Sequence, residues 1–183
     1  TYRRDAVLAG EVWRLATGPW VHLSWAHALL NLGGLALVLA MFTPVITPAR
    51  QGWLLVAIGL ATSSCLLLWP RIDWMVGLSG PLHGLFAADA LALTARRDAR
   101  PAGAWWRGPR YGWVLLAGLA LKLALELAWR SPVQTGPSGG LGGPVLIEAH
   151  WAGTAAGLLV YAGWRAYSAQ CAITPQSDGT ERK

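Results

Sequence analysis

Two long stretches without a charged side chain constrain the fold of this chain more than any other feature of its sequence. No Asp, Glu, Lys or Arg occurs between Arg14 and Arg50, or between Arg50 and Arg71. A helix needs about 20 apolar residues to cross the hydrocarbon core of a bilayer, and each stretch can hold one such helix. Only 13% of the residues are charged, against about 25% in a typical soluble domain. We therefore expect a polytopic helical membrane protein.

The apolar runs predict an all-α bundle of five spanning helices. The expected helices cover residues 20–42, 52–69, 76–95, 111–129 and 144–166. Most of the 12 tryptophans fall near the ends of these runs, where an indole ring is favoured at the membrane–water boundary. Residues 1–169 are expected to form the membrane domain, and the polar segment 170–183 to be a disordered cytoplasmic tail.

The distribution of arginines predicts the orientation of the helices. Five arginines lie in the loop 96–110, and loops rich in Lys and Arg remain on the cytoplasmic side. Alternation then puts the N-terminal stretch and the Gly/Pro-rich loop 131–144 on the opposite side. The N-terminal stretch contains more arginines than expected on the non-cytoplasmic side. A further helix upstream of Thr1 that fixes the orientation would explain this mismatch. The formal net charge of +6 is attributed to cytoplasmic loops, and no nucleic acid partner is expected.

Cysteine and histidine spacing gives no indication of a cofactor. Cys65 and Cys171 do not form a CxxC pair, so neither a disulfide framework nor a metal site is indicated. His22 and His27 lie five residues apart on the first predicted helix, about 140° around its axis. This separation argues against a metal-binding pair, so no cofactor and no metal are expected.

Polar side chains inside the predicted spans are candidates for function, because an ionisable group at mid-helix costs about 2.5–3.5 kcal/mol on insertion scales. His27 and Asn31 are four residues apart and share one helix face. Two side-chain N–H donors directed at one point are what an oxyanion hole requires. Hydrogen bonding between helices is the alternative role for both. The candidates are His22, His27, Asn31, Ser79, His83, Asp89, Lys122, Glu126, Glu148 and His150.

Ser79 lies in a glycine-rich segment at the start of the third predicted helix. Small residues repeat at a spacing of four on this helix and on the last one, and such faces let two helices approach closely. Close packing of the two faces would bring Ser79 and His150 together, and an adjacent base activates a serine nucleophile. Tight packing with an incidental serine and histidine is the alternative. The small-residue pairs are Gly80 with Gly84 and Gly153 with Gly157.

The other ionisable residues are assigned lesser roles. His83 lies one turn after Ser79 on the same helix and is expected to be a wall of the site, with the role of competing base less favoured. Asp89 lies about 15 Å further along the helix, too far away to orient a base. Lys122 and Glu126 can pair within their own helix. All three residues are interpreted as structural pairs or as side chains that snorkel to the cytoplasmic side. The serine–histidine unit then lacks an acid, and a dyad is expected.

Three segments, in this order, carry a resemblance to a known family. They are WRLATGPWVHLSWAHALLN at 13–31, GLSG at 77–80 and AHWAGTAAG at 149–157. Together they resemble the rhomboid family of intramembrane serine proteases. The resemblance implies that Ser79 is the nucleophile of a GxSG motif and that His150 is its general base.

The same resemblance implies roles for the residues around that pair. His27 and Asn31 match the oxyanion donors, together with the backbone N–H of Ser79, and His22 matches a further histidine near the site. His83 stands where many rhomboids place a tyrosine that packs against the base. Gly18 stands where some have another histidine. The family core has six helices, so the first is expected upstream of residue 1. The glycines of the GxSG motif, which line the site, are Gly77 and Gly80.

The segment GLSGPLHGLF at 77–86 and the Trp-rich segment at 14–34 are similar to the rhombosortase branch of that family. This resemblance implies a bacterial inner-membrane protein with its active site toward the periplasm. The implied substrates are secreted or surface proteins whose C-terminal tail has a Gly-Gly motif, a hydrophobic helix and a basic cluster.

Two other functions remain open from the sequence. A non-catalytic rhomboid-like protein that binds transmembrane helices is less favoured, because such relatives usually lose the serine or the histidine. A small transporter or channel component is less favoured too, because its polar residues would line a path through the whole membrane. Here the polar residues cluster on one side.

Overall fold

The computed structural model describes residues 1–96, 108–128 and 146–173. The long helices within these ranges are α3 (Trp25–Phe42), α4 (Pro48–Leu66), α5 (Ser79–Thr94), α6 (Pro109–Ala128) and α7 (Ile147–Ile173). The short elements are β1 (Tyr2–Arg3), α1 (Arg4–Leu8), α2 (Trp13–Thr17), a 3-10 turn (Gly18–Trp20) and β2 (Trp74–Met75). The all-α bundle predicted from the sequence is confirmed. Predictions for residues 97–107, for the loop 131–144 and for the tail from 174 onward lie outside the described residues.

The two ends of the bundle differ from the predicted boundaries. The first long helix begins at Trp25 rather than at residue 20, because Ser24 adopts an extended backbone (φ −150°, ψ 164°) and caps it. The Ser24 Oγ accepts a hydrogen bond from the His27 N–H at 3.1 Å, as an N-cap residue does. His22 therefore precedes the helix instead of lying on it. The last helix runs on to Ile173, past its predicted end and into the segment assigned to the tail.

The central helix of the bundle is α5, which packs against α3, α4, α6 and α7. Its middle residues are fully buried, including Ala87, Ala88 and Asp89. Asp89 accepts a hydrogen bond from Gln51 Nε2 at 2.7 Å, and both residues are buried. This contact agrees with the structural role predicted for Asp89.

Two of the surrounding helices present large apolar side chains outward. By length and composition, α3 and α6 are the helices within the described ranges that could cross a membrane. A lipid environment favours exposed apolar side chains along such helices, which agrees with the membrane protein expected from the sequence. Exposed residues on these helices include Trp25, Leu29, Leu30, Leu32, Leu37, Trp113, Val114, Leu121 and Leu127.

Glycines bring the backbones of α5 and α7 into direct contact. A Cβ atom built on Gly153 would overlap the carbonyl of Gly80, and one built on Gly157 would overlap the carbonyl of Gly84. The predicted packing of the two small-residue faces is therefore confirmed. It places the first turn of α5 beside the first turn of α7.

A two-stranded sheet ties the N-terminus to the segment just before α5, and the sequence did not predict it. Tyr2 pairs with Met75 and Arg3 with Trp74 in antiparallel register. Tyr2 is fully buried, and a Cβ atom on Gly18 would lie 2.8 Å from its Cβ. Any side chain at position 18, including a histidine, would displace Tyr2 and loosen this attachment.

Candidate active site

The turn that leads into α5 depends on Gly77. Its φ of +96° lies in the left-handed region, which residues with a Cβ atom rarely adopt. A Cβ atom there would also lie 2.6 Å from the His27 Nε2. Gly77 therefore both turns the chain so that Ser79 starts the helix and lets the His27 ring approach. At Gly80, a Cβ atom would lie 2.6 Å from the Ala149 carbonyl, so this position sets the approach of α7.

Ser79 and His150 meet across the α5–α7 interface. The distance from Ser79 Oγ to His150 Nε2 is 3.2 Å, within hydrogen-bond reach for a nucleophile and its base. The His150 side chain is buried, which protects the contact from bulk water.

The other side of the His150 ring contacts Glu126 of α6. Its Nδ1 lies 3.0 Å from Glu126 Oε2 and 3.2 Å from Oε1. The expectation that the serine–histidine unit lacks an acid is therefore wrong. A carboxylate at Nδ1 holds the proton on that nitrogen and leaves the Nε2 lone pair facing Ser79 Oγ. The predicted pairing of Lys122 with Glu126 is confirmed, at 2.6 Å, but it lies at the site rather than apart from it.

His83 forms a wall against the ring of His150. The two imidazoles stack, with centroids 4.0 Å apart and planes 15° from parallel. The His83 Nδ1 lies 2.6 Å from the Ser79 carbonyl oxygen, and Nε2 contacts the Lys122 ammonium. Because both nitrogens are engaged elsewhere, His150 is the ring that faces the Ser79 hydroxyl.

His27 and Asn31 reach the site from successive turns of α3, where His27 Nε2 and Asn31 Nδ2 lie next to Gly77. Within the described residues, His27 Nδ1 and Asn31 Nδ2 are buried and have no hydrogen-bond partner. Leaving a buried donor unpaired is unfavourable by about 1–3 kcal/mol. His22 Nε2 is also buried without a partner, and its ring meets that of His27 edge-on at 5.1 Å. The predicted 140° separation of these histidines is wrong because His22 lies before the helix.

Most of these side chains line one cavity of about 480 Å³, in the size range of ligand sites. His22, Gly77 and Gly80, which were expected to line the site, are not among its lining residues. The segment 71–76 forms part of the lining, and β1 pairs with Trp74 and Met75 within it. The cavity is lined by Leu23, His27, Leu30, Asn31, Arg71, Ile72, Asp73, Trp74, Met75, Val76, Ser79, His83, Glu126, Leu146, Ala149 and His150.

One group of side chains has the composition of a metal site. Ligand atoms of His83, Glu126 and His150 lie within 4.8 Å of one another. The Lys122 ammonium contacts both His83 Nε2 and Glu126 Oε1, so a positive charge already lies among them. A metal ion would have to displace that ammonium.

Comparison with known proteins agrees with this arrangement. A family model described as the Rhomboid domain matches residues 9–166. No curated protein and no solved structure matches the chain. Because the family match reaches from before α2 into α7 and includes both Ser79 and His150, the chain belongs to the rhomboid family.

Proposed function

We propose that this chain is an intramembrane serine endopeptidase that cleaves transmembrane proteins. Rhomboid proteins are generally intramembrane serine proteases, although some members are inactive. The observation that carries the proposal is the continuous contact from Ser79 Oγ to His150 Nε2 and from His150 Nδ1 to Glu126, at 3.2 and 3.0 Å. A non-catalytic protein that binds helices has no need of this alignment.

The proposed reaction is acyl transfer to Ser79. The Ser79 oxygen attacks the carbonyl carbon of the scissile peptide bond while His150 Nε2 takes the hydroxyl proton. Glu126 stabilises the resulting imidazolium through its hydrogen bond at Nδ1. His150 then gives the proton to the leaving amine, and water attacks the acyl-enzyme to release the product and restore the serine.

The negative charge that develops on the substrate oxygen needs donors, and we assign this role to His27, Asn31 and the Ser79 backbone N–H. The buried, unpartnered Asn31 Nδ2 supports the assignment, and so does the position of His27 Nε2 next to Gly77. Donors held in place before the reaction stabilise the transition state without reorganisation. The competing role, hydrogen bonding between helices, would require a partner on another helix for these atoms.

Asn31→Ala and His27→Ala are each expected to lower kcat by about 100- to 1,000-fold, because each removes one oxyanion donor. Cleavage of a transmembrane substrate in proteoliposomes measures kcat, and thermal denaturation in detergent measures stability. Ser63→Ala is the matched control, since Ser63 Oγ on α4 is also buried and unpartnered. A lower melting temperature with an unchanged kcat would assign Asn31 and His27 to helix packing instead.

Glu126→Gln is expected to lower kcat by up to about 10,000-fold, the loss seen when an amide replaces the carboxylate of a soluble serine-protease triad. A glutamine amide next to Nδ1 favours the wrong tautomer of His150. Glu11→Gln is the control, because Glu11 also pairs with a cation, Arg14 at 2.6 Å. If kcat for Glu126→Gln stays within a few-fold of the wild-type value, the unit is a dyad.

The finer proposal concerns the substrate and the location. We assign the chain to the rhombosortase branch, acting on tails with a Gly-Gly motif, a hydrophobic helix and a basic cluster. The sequence resemblance supports this, including the histidine at position 83, where many rhomboids place a tyrosine. The proposed location is the bacterial inner membrane, with the site toward the periplasm. Ser79 begins α5 and Arg96 follows its other end, which agrees with a cytoplasmic arginine-rich loop.

The proposed function is tested by co-expressing a tailed substrate with either the wild-type chain or Ser79→Ala. Cleavage with the wild type alone supports the protease. Replacing the Gly-Gly motif of the substrate by Leu-Leu is expected to abolish cleavage if the branch assignment holds. Equal cleavage of the altered tail would contradict the branch and leave the protease standing. An uncleaved substrate in both strains, together with no labelling of Ser79 by a fluorophosphonate probe, would contradict the protease.

A further inference from the structure

Lys122 joins two separate supports of the His150 ring. Its ammonium lies 2.6 Å from Glu126 Oε1 and contacts His83 Nε2. Glu126 holds His150 through the hydrogen bond at Nδ1, and His83 holds it by stacking at 4.0 Å. The two residues that hold His150, Glu126 and His83, are therefore both in contact with Lys122.

The partners of His83 determine which of its nitrogens carries a proton. The Ser79 carbonyl oxygen can only accept a hydrogen bond, so His83 Nδ1, at 2.6 Å from it, must donate. A lysine ammonium can only donate, so His83 Nε2 must accept. A neutral ring with its proton on Nδ1 satisfies both contacts, whereas a charged ring would direct an N–H at the ammonium.

The charge on His83 matters because the proposed mechanism makes His150 an imidazolium. A second positive ring stacked against it would disfavour that protonated state, as like charges do at short range. The other charged or titratable groups near the two rings are Glu126 beside Lys122, and His27, Arg71 and Asp73 around the rest of the cavity. Among these groups, Lys122 is the one that contacts His83 Nε2.

We propose that Lys122 is a positioning residue that keeps His83 neutral against His150, so that His150 can take up the proton of Ser79. The inference rests on the proposed protease function. Lys122 does not touch the reacting atoms; it acts through His83 and Glu126.

The first test is the pH profile of cleavage by Lys122→Met, which keeps the length of the side chain and removes its donors. Without the ammonium, His83 is protonated more readily as the pH falls, while its burial and the stacked His150 ring still oppose the charge. We expect the acid limb of the kcat profile to move up by about one pH unit. Arg110→Met is the matched control, since it removes a charge at the other end of α6 and is expected to leave the profile unchanged.

Loss of the Lys122 charge could also change the protonation of His150 directly, without His83. A double-mutant cycle separates this direct effect from the effect through His83. In a His83→Phe background, the stacked ring has no nitrogen to titrate. The double variant Lys122→Met, His83→Phe is expected to have its acid limb at the same pH as His83→Phe alone. An equal shift in both backgrounds would overturn the proposal.

A second readout does not depend on cleavage. Nitrogen-15 NMR of the histidine-labelled chain in detergent reports the tautomer and charge of each ring, with His83→Phe identifying the His83 signal. We expect a neutral ring protonated on Nδ1 in the wild type at pH 6, below the usual histidine pKa of about 6.5. In Lys122→Met we expect the His83 signal to change to that of an imidazolium at a higher pH than in the wild type, and an identical titration of the two chains overturns the proposal. A charged His83 in the folded wild type overturns the proposal. Absent cleavage with the expected NMR result contradicts the protease function and still supports the Lys122–His83 contact.

Discussion

Ser79→Ala is expected to abolish cleavage while the chain stays folded. Without the hydroxyl no acyl-enzyme forms, and a soluble serine protease that loses its nucleophile loses about a million-fold in kcat. The substitution removes only an oxygen that contacts His150 Nε2 at 3.2 Å, so its effect on stability should stay near that of one hydrogen bond, about 1 kcal/mol. His150→Ala should be as damaging, and the double variant no worse, because the two residues act as a unit.

A fluorophosphonate probe tests the nucleophile without a substrate. The wild-type chain and Ser63→Ala should be labelled, and Ser79→Ala should not. Labelling of Ser79→Ala at the wild-type rate would place the nucleophile elsewhere. Cleavage that survives in His150→Ala but not in His83→Ala would transfer the role of base to His83.

The meeting of Ser79 with His150 could be predicted because the information is local. Each residue lies within one turn of a glycine pair at a spacing of four, and two helices that pack through such faces approach most closely there. Glu126 could not be identified as the partner of His150 in the same way. Its i,i+4 spacing from Lys122 predicts an ion pair within one helix, so the sequence gives no reason to look for another partner. Its contact with His150 arises from the packing of three helices. The predicted direction of the fourth helix could have indicated this contact. It puts residue 126 near the end of the helix that lies on the same side of the membrane as Ser79.

The short elements could not be predicted for a different reason. A two-residue strand and a five-residue helix are too short to show a period, and the pairing of Tyr2 with Met75 joins distant parts of the chain. The start of α3 was misplaced because Val21 and Leu23 continue the apolar run. The capping serine at position 24 was the signal that could have corrected it.

Gly153→Ala is expected to lower stability and activity together, through helix packing rather than chemistry. The added Cβ atom would overlap the backbone carbonyl of Gly80, and a backbone atom can yield only if the whole helix moves. Overpacking of this kind destabilises by about 1–3 kcal/mol. Moving α7 away from α5 also lengthens the contact between Ser79 and His150, and a displacement of about 1 Å at a catalytic pair can lower the rate about 100-fold.

Gly163→Ala on the same helix is the control that isolates this effect. A Cβ atom there meets nothing within 4 Å, so the substitution should be neutral or should stabilise α7 by up to about 1 kcal/mol, the difference in helix propensity between alanine and glycine. Melting temperature and kcat should therefore both fall in Gly153→Ala, and neither should fall in Gly163→Ala. If Gly153→Ala lost stability but kept the wild-type kcat, the backbone approach of α5 and α7 would hold the bundle together without setting the distance between serine and histidine.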